Sequence, residues 1–298
     1  MQVIVTGATG YLGLHIVAAL AEAGHAVTAL VRTPAKLGPL AGQANVAVCE
    51  ATLSQDDRIQ QAMRGHDACI HAAFIWGNLS DDLELRDTVA SAKLFDAAAR
   101  AGISRTLFVS STAVHRPFRR RMSEDDRLVT GDVYGATKAS NELFLWAACA
   151  SRAMEGIVVR PGPIVGPPAF PGGAFRSPSR LTDFVERARR GEPIHVESGA
   201  GRQFVSASDV ATVIMRLLTS NRANETYLCV AREITPWEAI ARRIVSMVGS
   251  QSPIVVEPRS AGQPEPTFDV GKLEAHLGIV LESERAMEAH LMHLVRTG

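Results

Sequence analysis

A doubly wound α/β fold, with a parallel sheet covered by helices and a smaller α-rich lobe after it, is what the sequence predicts. Three observations carry this. The apolar run Val3-Ile4-Val5 leads directly into T-G-A-T-G-Y-L-G at residues 6–13, giving strand, glycine turn and helix start in the order a dinucleotide-binding edge requires. Short apolar runs then alternate with helical segments as far as about residue 160, the pattern of successive strand–helix–strand units. Last, the stretch from residue 161 to 178 is rich in Pro and Gly, and beyond it the pieces are shorter and largely helical. The expected division is residues 1–165 for a nucleotide-binding domain, with some later segments returning to it, and 166–298 mainly for a substrate lobe.

Each element has a local reason. Gly7, Gly10 and Gly13 answer three steric demands: a tight turn out of the strand, close backbone approach to a pyrophosphate, and close packing of the next helix. That helix starts near Tyr11, places Leu12, Ile16, Val17 and Leu20 at helical spacing and ends at Gly24, so its free N–H groups face an anion. The glycine spacing is G-x-x-G-x-x-G. A second buried strand over 26–31 ends at Arg32. An acidic residue at this distance from the glycine turn holds the ribose of NAD, whereas an arginine suits the extra phosphate of NADP. Arg32 supplies a two-pronged phosphate clamp and Lys36, one turn on, a second cation. NADP is therefore the expected cofactor, with NAD as the alternative.

Residues 46–48 make a third strand, followed by a helix with Ser54 as its cap, Asp56 and Asp57 in its first turn and Gly65 past its end. Residues 68–73 make a fourth strand, with His71 as a core residue and small terminal residues that let a ring lie against the backbone. A helix over 83–101 leads to a fifth strand, 106–109, which ends in Ser110-Ser111-Thr112. Residues 115–133, with Arg119-Arg120-Arg121 facing Glu124-Asp125-Asp126, read as a polar surface loop whose charges pair or face water. A helix resumes at Tyr134, and a strand over 157–160 runs into Pro161-Gly162-Pro163. The stretch to Pro178 reads as a lid or binding loop. Further on, 181–190 is a basic amphipathic helix, Ser208 with Asp209 caps another running to about Leu218, and Thr235-Pro236-Trp237-Glu238 reads as a capping box. His290 and His293 read as surface residues.

Composition narrows the function. With 298 residues and 46% hydrophobic content the chain can bury a large core. Lys+Arg and Asp+Glu both total 31, so nothing in the charge balance favours nucleic acid or an anionic membrane. No run reaches the roughly 18 apolar residues of a membrane span, and a cytoplasmic protein is expected. Cys49, Cys69, Cys149 and Cys229 form no C-x-x-C and read as free, mostly buried thiols. No metal is expected. The expected partner is a small-molecule substrate, and a homodimer is the assembly this reading admits.

Tyr134 and Lys138 lie four apart on a helix and share one face. A phenol with an ordinary pKa near 10 is ionised at neutral pH in only about one molecule in a thousand, and a nearby ammonium favours the phenolate. With Ser111 ending the fifth strand to bind the same substrate oxygen, Tyr134 is placed to take a proton from an alcohol as hydride leaves its carbon, or to give one to a carbonyl in reverse.

These motifs together resemble the extended short-chain dehydrogenase/reductase group, the NAD-dependent epimerase/dehydratase family. The matching stretches are T-G-A-T-G-Y-L-G at 6–13, H-A-A at 71–73, V-S-S-T-A-V at 109–114, Y-G-A-T-K at 134–138, R-P-G-P-I-V-G-P at 160–167, G-R-Q-F-V-S-A-S-D-V-A at 201–211 and F-D-V-G-K-L-E-A-H-L-G at 268–278. The resemblance implies a Rossmann fold and Ser111, Tyr134 and Lys138 as the catalytic set. It implies cofactor contacts at Gly7, Thr9, Gly10, Tyr11, Leu12, Arg32, Ala72, Ala73, Ser110, Tyr134, Lys138, Pro161, Gly162, Pro163 and Ile164. Three positions depart from the family pattern. Thr52 and Leu53 stand where relatives often contact adenine through Asp. Asp87 replaces an Asn of the fourth helix that organises a proton path. His115 replaces a tyrosine, and either lines the substrate site or fills space. Arg202 matches an arginine that approaches a phosphate in sugar-nucleotide enzymes.

The leading expectation is an NADP-preferring oxidoreductase that moves hydride between nicotinamide and a secondary alcohol or carbonyl. The alternative is a nucleotide-sugar epimerase or dehydratase, in which hydride transfer is transient. The intact Ser111, Tyr134 and Lys138 weigh against a third reading, a non-catalytic NADP-binding regulator. Substrate identity is expected to depend on how residues 74–80, 115–131 and 164–204 fold over the site.

Overall fold

The computed structural model describes residues 1–75, 81–259 and 265–297, so part of the 74–80 segment lies outside the described residues. The first half contains β1 (Gln2–Thr6), α1 (Tyr11–Glu22), β2 (Ala26–Val31), β3 (Val46–Glu50), α2 (Asp56–Ala62), β4 (Ala68–His71), α3 (Asp81–Arg100), β5 (Arg105–Val109), β6 (Arg121–Met122), α4 (Val133–Ser151) and β7 (Glu155–Pro161). The second contains β8 (Ile164–Val165), α5 (Ser179–Arg190), β9 (Ile194–Glu197), β10 (Gly201–Arg202), β11 (Val205–Ser206), α6 (Ala207–Thr219) and β12 (Glu225–Cys229). It ends with β13 (Thr235–Pro236), α7 (Trp237–Val248), β14 (Ile254–Glu257), β15 (Thr267–Phe268), α8 (Gly271–Leu277) and α9 (Glu284–Thr297).

Seven strands form one parallel sheet in the order β12-β7-β5-β4-β1-β2-β3. Helices cover both faces, which is why the central strands are continuous apolar runs; Val3, Ile4 and Val5 are all fully buried. One face packs Val3, Val5, Leu14 and Ile16 against Val210, Ile214 and Leu217 of α6. The other packs Ile4 and Phe108 against Leu94, Phe95 and Leu145 of α3 and α4. A separate core in the helix-rich C-terminal region gathers Phe184, Trp237, Ile240 and Leu291 from α5, α7 and α9. Strand order reverses between β1 and β4, and a doubly wound sheet opens its ligand crevice at the carboxyl ends of the strands at such a point.

Several local expectations are corrected. Ser54 does not cap α2: its hydroxyl bonds Thr52 Oγ1 at 2.9 Å, and Gln55 holds the cap position without a side-chain bond. Ser206, not Ser208, caps α6 by accepting from Asp209 N at 2.9 Å, because β11 turns straight into the helix. No capping box forms at Thr235, which is paired with Arg202 in the β10–β13 ladder and bonds Ser283 through its hydroxyl.

The 115–133 loop is more than surface. Arg119–Asp126 is a pair of the expected kind, but Met122 is buried, β6 pairs with β15, and Glu124 accepts from Leu228 N at 2.8 Å. His290 is fully buried on the inner side of α9, with one ring nitrogen on Gly166 O at 3.0 Å and the other on Ser177 Oγ at 2.9 Å. Burial lowers its pKa to about 4, so it is a neutral bridge and not a surface charge. His293 packs on Phe175, ring centroids 4.4 Å apart. The loop after β7 is anchored to α1, since Gly166 O also accepts from the Tyr11 hydroxyl at 2.7 Å.

Among the described residues no helix is long and apolar enough to cross a membrane, and no cluster of three or more His, Cys, Asp or Glu is arranged to hold a metal. The four thiols are free, Cys69 and Cys229 buried and the other two half-buried.

Candidate active site

A cleft of about 2150 Å³ opens at the carboxyl ends of the strands. A single small-molecule site occupies roughly 300–1,000 Å³, so this cleft has room for two ligands side by side. Every residue anticipated as a cofactor contact lines it, from Gly7 and Thr9 to Ile164.

The cradle at one end is built by the absence of side chains. Gly7 has φ +70°, and a Cβ there would sit 2.6 Å from Ala73 N; one on Gly13 would sit 2.0 Å from Gly7 O. Among the described residues the only atom within 4 Å of a Cβ placed on Gly10 is Gly7 O at 3.2 Å, so the space above it is open there. No side chain caps α1 and its first turn holds no acid, which leaves first-turn N–H groups available to an anion. These features fit a dinucleotide pyrophosphate. Arg32, exposed at the end of β2, and Lys36 line the wall beyond the turn. Thr52 N donates to Gln55 Oε1 at 2.9 Å, so the Thr52 backbone donor is already committed within its own turn.

Ser111, Tyr134 and Lys138, the set expected to be catalytic, line the same cleft. Asp132 caps α4 by accepting from Gly135 N at 2.7 Å and so sets where Tyr134 emerges. The Ser111 hydroxyl accepts from Ala113 N at 3.1 Å and hydrogen-bonds the Tyr134 phenol. Tyr134 stands edge-on to Phe74, centroids 5.1 Å apart, and the Lys138 ammonium lies 4.9 Å from the same ring. Lys138 Nζ donates to Val109 O at 2.9 Å. Its pKa is lowered to about 8 by burial, against the pull of the Asp87 and Glu142 carboxylates. For Tyr134 the expectation from sequence is reversed: burial pushes the phenol up, outweighing the Ser111 hydrogen bond and the Arg176 and Arg116 charges that favour ionisation. The phenol is thus held protonated.

Behind these residues lies a buried polar layer. Asp87, fully buried, accepts from Ile75 N at 2.8 Å and Asn141 Nδ2 at 2.9 Å, so it fixes the backbone beside Phe74. Ser110 donates to Glu142, whose carboxylate is gripped by Arg160 through Nε at 3.0 Å and Nη2 at 2.7 Å. His115 belongs to this layer and not to the substrate site. It is 2% exposed, does not line the cleft, and meets Arg160 Nη1 through Nε2 at 3.1 Å. Burial and the Arg160 charge lower its pKa to about 4, which keeps the ring neutral. Arg202 lines the cleft, but its guanidinium is bonded to Glu265. Phe74, Arg116, Arg176 and Arg180 line the substrate half and fall within the segments 74–80, 115–131 and 164–204 expected to cover the site, whereas Trp237, which lines it too, lies outside them. Trp237 belongs to the separate C-terminal core of α5, α7 and α9, and no local motif marks it as facing the cleft.

Fold and cleft define a dinucleotide-binding α/β enzyme. The chain belongs to the NAD-dependent epimerase/dehydratase family, whose model matches residues 3–229, and is an enzyme of the extended short-chain dehydrogenase/reductase type. It is 25% identical to dTDP-4-dehydro-6-deoxy-D-allose reductase of Streptomyces bikiniensis, over 91% of this chain and 89% of the relative. It is 30% identical to sterol demethylase protein B of Methylococcus capsulatus, over 80% and 73%. UDP-glucuronic acid 4-epimerase from Bacillus cereus, solved in complex with NAD, shares the fold with a TM-score of 0.82 at 17% identity, covering 99% of this chain and 96% of that one.

Proposed function

We propose that this enzyme is an NADP-preferring oxidoreductase that interconverts a carbonyl and a secondary alcohol on a small molecule, with Tyr134 as general acid/base. The observation that carries the reading is the meeting of the Ser111–Tyr134 hydrogen-bonded pair with the Lys138 ammonium around Phe74, in the same cleft as the glycine cradle. NADPH bound along the cradle supplies the hydride. Ser111 and Tyr134 hold the carbonyl oxygen, and Tyr134 gives it a proton as the carbon is reduced. Burial holds the phenol in the protonated form, the form this direction requires at neutral pH. Arg32 and Lys36 support the NADP preference as a paired clamp for a phosphate. The test is a carbonyl panel followed by NADPH absorbance, with Arg32→Asp lowering NADPH affinity about tenfold or more while sparing NADH. Equal affinity for both cofactors in the wild type, unchanged by Arg32→Asp, would sink the clamp.

Lys138 predicts the pH profile. Its ammonium is present below about pH 8 and is lost as pH rises through that value. The free-enzyme kcat/KM should therefore fall on a basic limb near pH 8, and Lys138→Arg should remove the limb, since a guanidinium does not titrate there. The stability linkage has the opposite sign. The unfolded chain keeps its proton up to about 10.5 while the folded one gives it up near 8, so this group makes folding more favourable as pH climbs between the two.

A second reading, a sugar-nucleotide epimerase or dehydratase, is favoured by Arg202 in the substrate half of the cleft. Cofactor retained through purification, with no net NADPH consumption on any carbonyl, is its signature.

A further inference from the structure

Arg202 Nη1 bonds one oxygen of the Glu265 carboxylate, and Arg259 Nη1 bonds the other at 2.5 Å. The Glu265 side chain is 8% exposed while Arg202, facing the cleft, is 39% exposed. Two guanidiniums converging on one anion is the usual geometry of a phosphate seat, and here the seat is filled from within the chain. A phosphate entering it must displace a nearly buried carboxylate from two charge-assisted bonds or sit beside it, like charge against like charge. Of the other cations of this half, Arg116 pairs with Asp132 at 2.8 Å, Arg180 lies 4.5 Å over the Trp237 ring, and Arg176 lies close enough to the Tyr134 phenol to act on its charge. The remaining wall offers the faces and edges of Phe74, Phe118, Trp237 and Phe268, which suit a flat or ring-bearing body.

We infer that Glu265 is a built-in counter-anion that occupies the seat between Arg202 and Arg259, so that the substrate half takes an uncharged, ring-bearing carbonyl compound and rejects one carried on a nucleoside diphosphate. The inference rests on the oxidoreductase reading for the carbonyl, but its test needs no turnover. Uridine diphosphate is titrated calorimetrically into protein saturated with NADP+, which blocks the glycine cradle. Wild type should bind more weakly than about 1 mM, and Glu265→Gln should bind at least about tenfold more tightly. Adding Arg202→Ala to that variant should abolish the gain. Unchanged NADP+ affinity serves as the check that each variant is folded, and Glu265→Ala replaces Glu265→Gln if that check fails. Micromolar binding by wild type, or a folded Glu265 variant with no gain, overturns the inference. Failure of every carbonyl in the panel would count against the oxidoreductase reading and leave the diphosphate titration standing.

Discussion

Tyr134→Phe is expected to lower kcat about a thousandfold on the best carbonyl of the panel, within the range a positioned general acid contributes, while changing NADPH affinity little. The phenylalanine ring keeps the edge contact with Phe74 and the helix face that carries Lys138. What disappears is the single O–H that Ser111 orients. Ser111→Ala should cost less, about ten- to a hundredfold, because it removes an oxyanion partner and leaves the proton donor in place. Stopped-flow measurement of hydride transfer separates this from slow product release. Turnover by Tyr134→Phe within a few-fold of wild type would exclude the phenol as acid. If Lys138→Met lost activity only by weakening NADPH binding, the ammonium would be a cofactor clamp and not part of the proton chemistry.

The parts of this site that were legible in the sequence are those set by local backbone demands. Gly7 and Gly13 are read without a structure because a Cβ would collide with a neighbouring backbone of the same strand–turn–helix unit or its adjacent strand, and Gly10 because the turn must leave open space for a pyrophosphate. The strands are read from unbroken apolar runs because helices bury both faces. Tyr134 and Lys138 are read because helical spacing puts them on one face. The helix caps failed for a definite reason: whether Ser206 or Ser208 caps α6 depends on where β11 stops, and Thr235 is drawn into a ladder with Arg202. His290 reads as a surface residue because its burial is imposed by Gly166, far away in the chain, and the place of His115 stays open in the sequence because it is set by Arg160 on β7. The phenol's raised pKa is a property of packing that spacing alone does not convey. Nor does Arg202 announce its partner, which lies 63 residues further on.

The second large effect is expected at a residue that touches no ligand. Arg160→Met should destabilise the fold by about 3–5 kcal/mol, because it leaves the Glu142 charge buried without its cation. Glu142 is 0% exposed and Arg160 4%, so water offers no replacement. For a chain of this size that is a fall in Tm on the order of 10 °C. The same carboxylate accepts from Ser110 at the end of β5, one residue before Ser111, and the Arg160 guanidinium also reaches Glu124 O at 3.1 Å and His115. Loss of the pair therefore loosens the strand end that carries Ser111, the hydrogen-bond partner of Tyr134, and cofactor affinity should fall together with Tm. Calorimetric unfolding with and without NADP+ checks both. The double variant Arg160→Met with Glu142→Leu distinguishes the causes, since removing both charges recovers much of the lost stability when the cost is an unpaired ion. Should it melt as low as Arg160→Met, lost packing around β7 and not the stranded carboxylate would be what the arginine prevents.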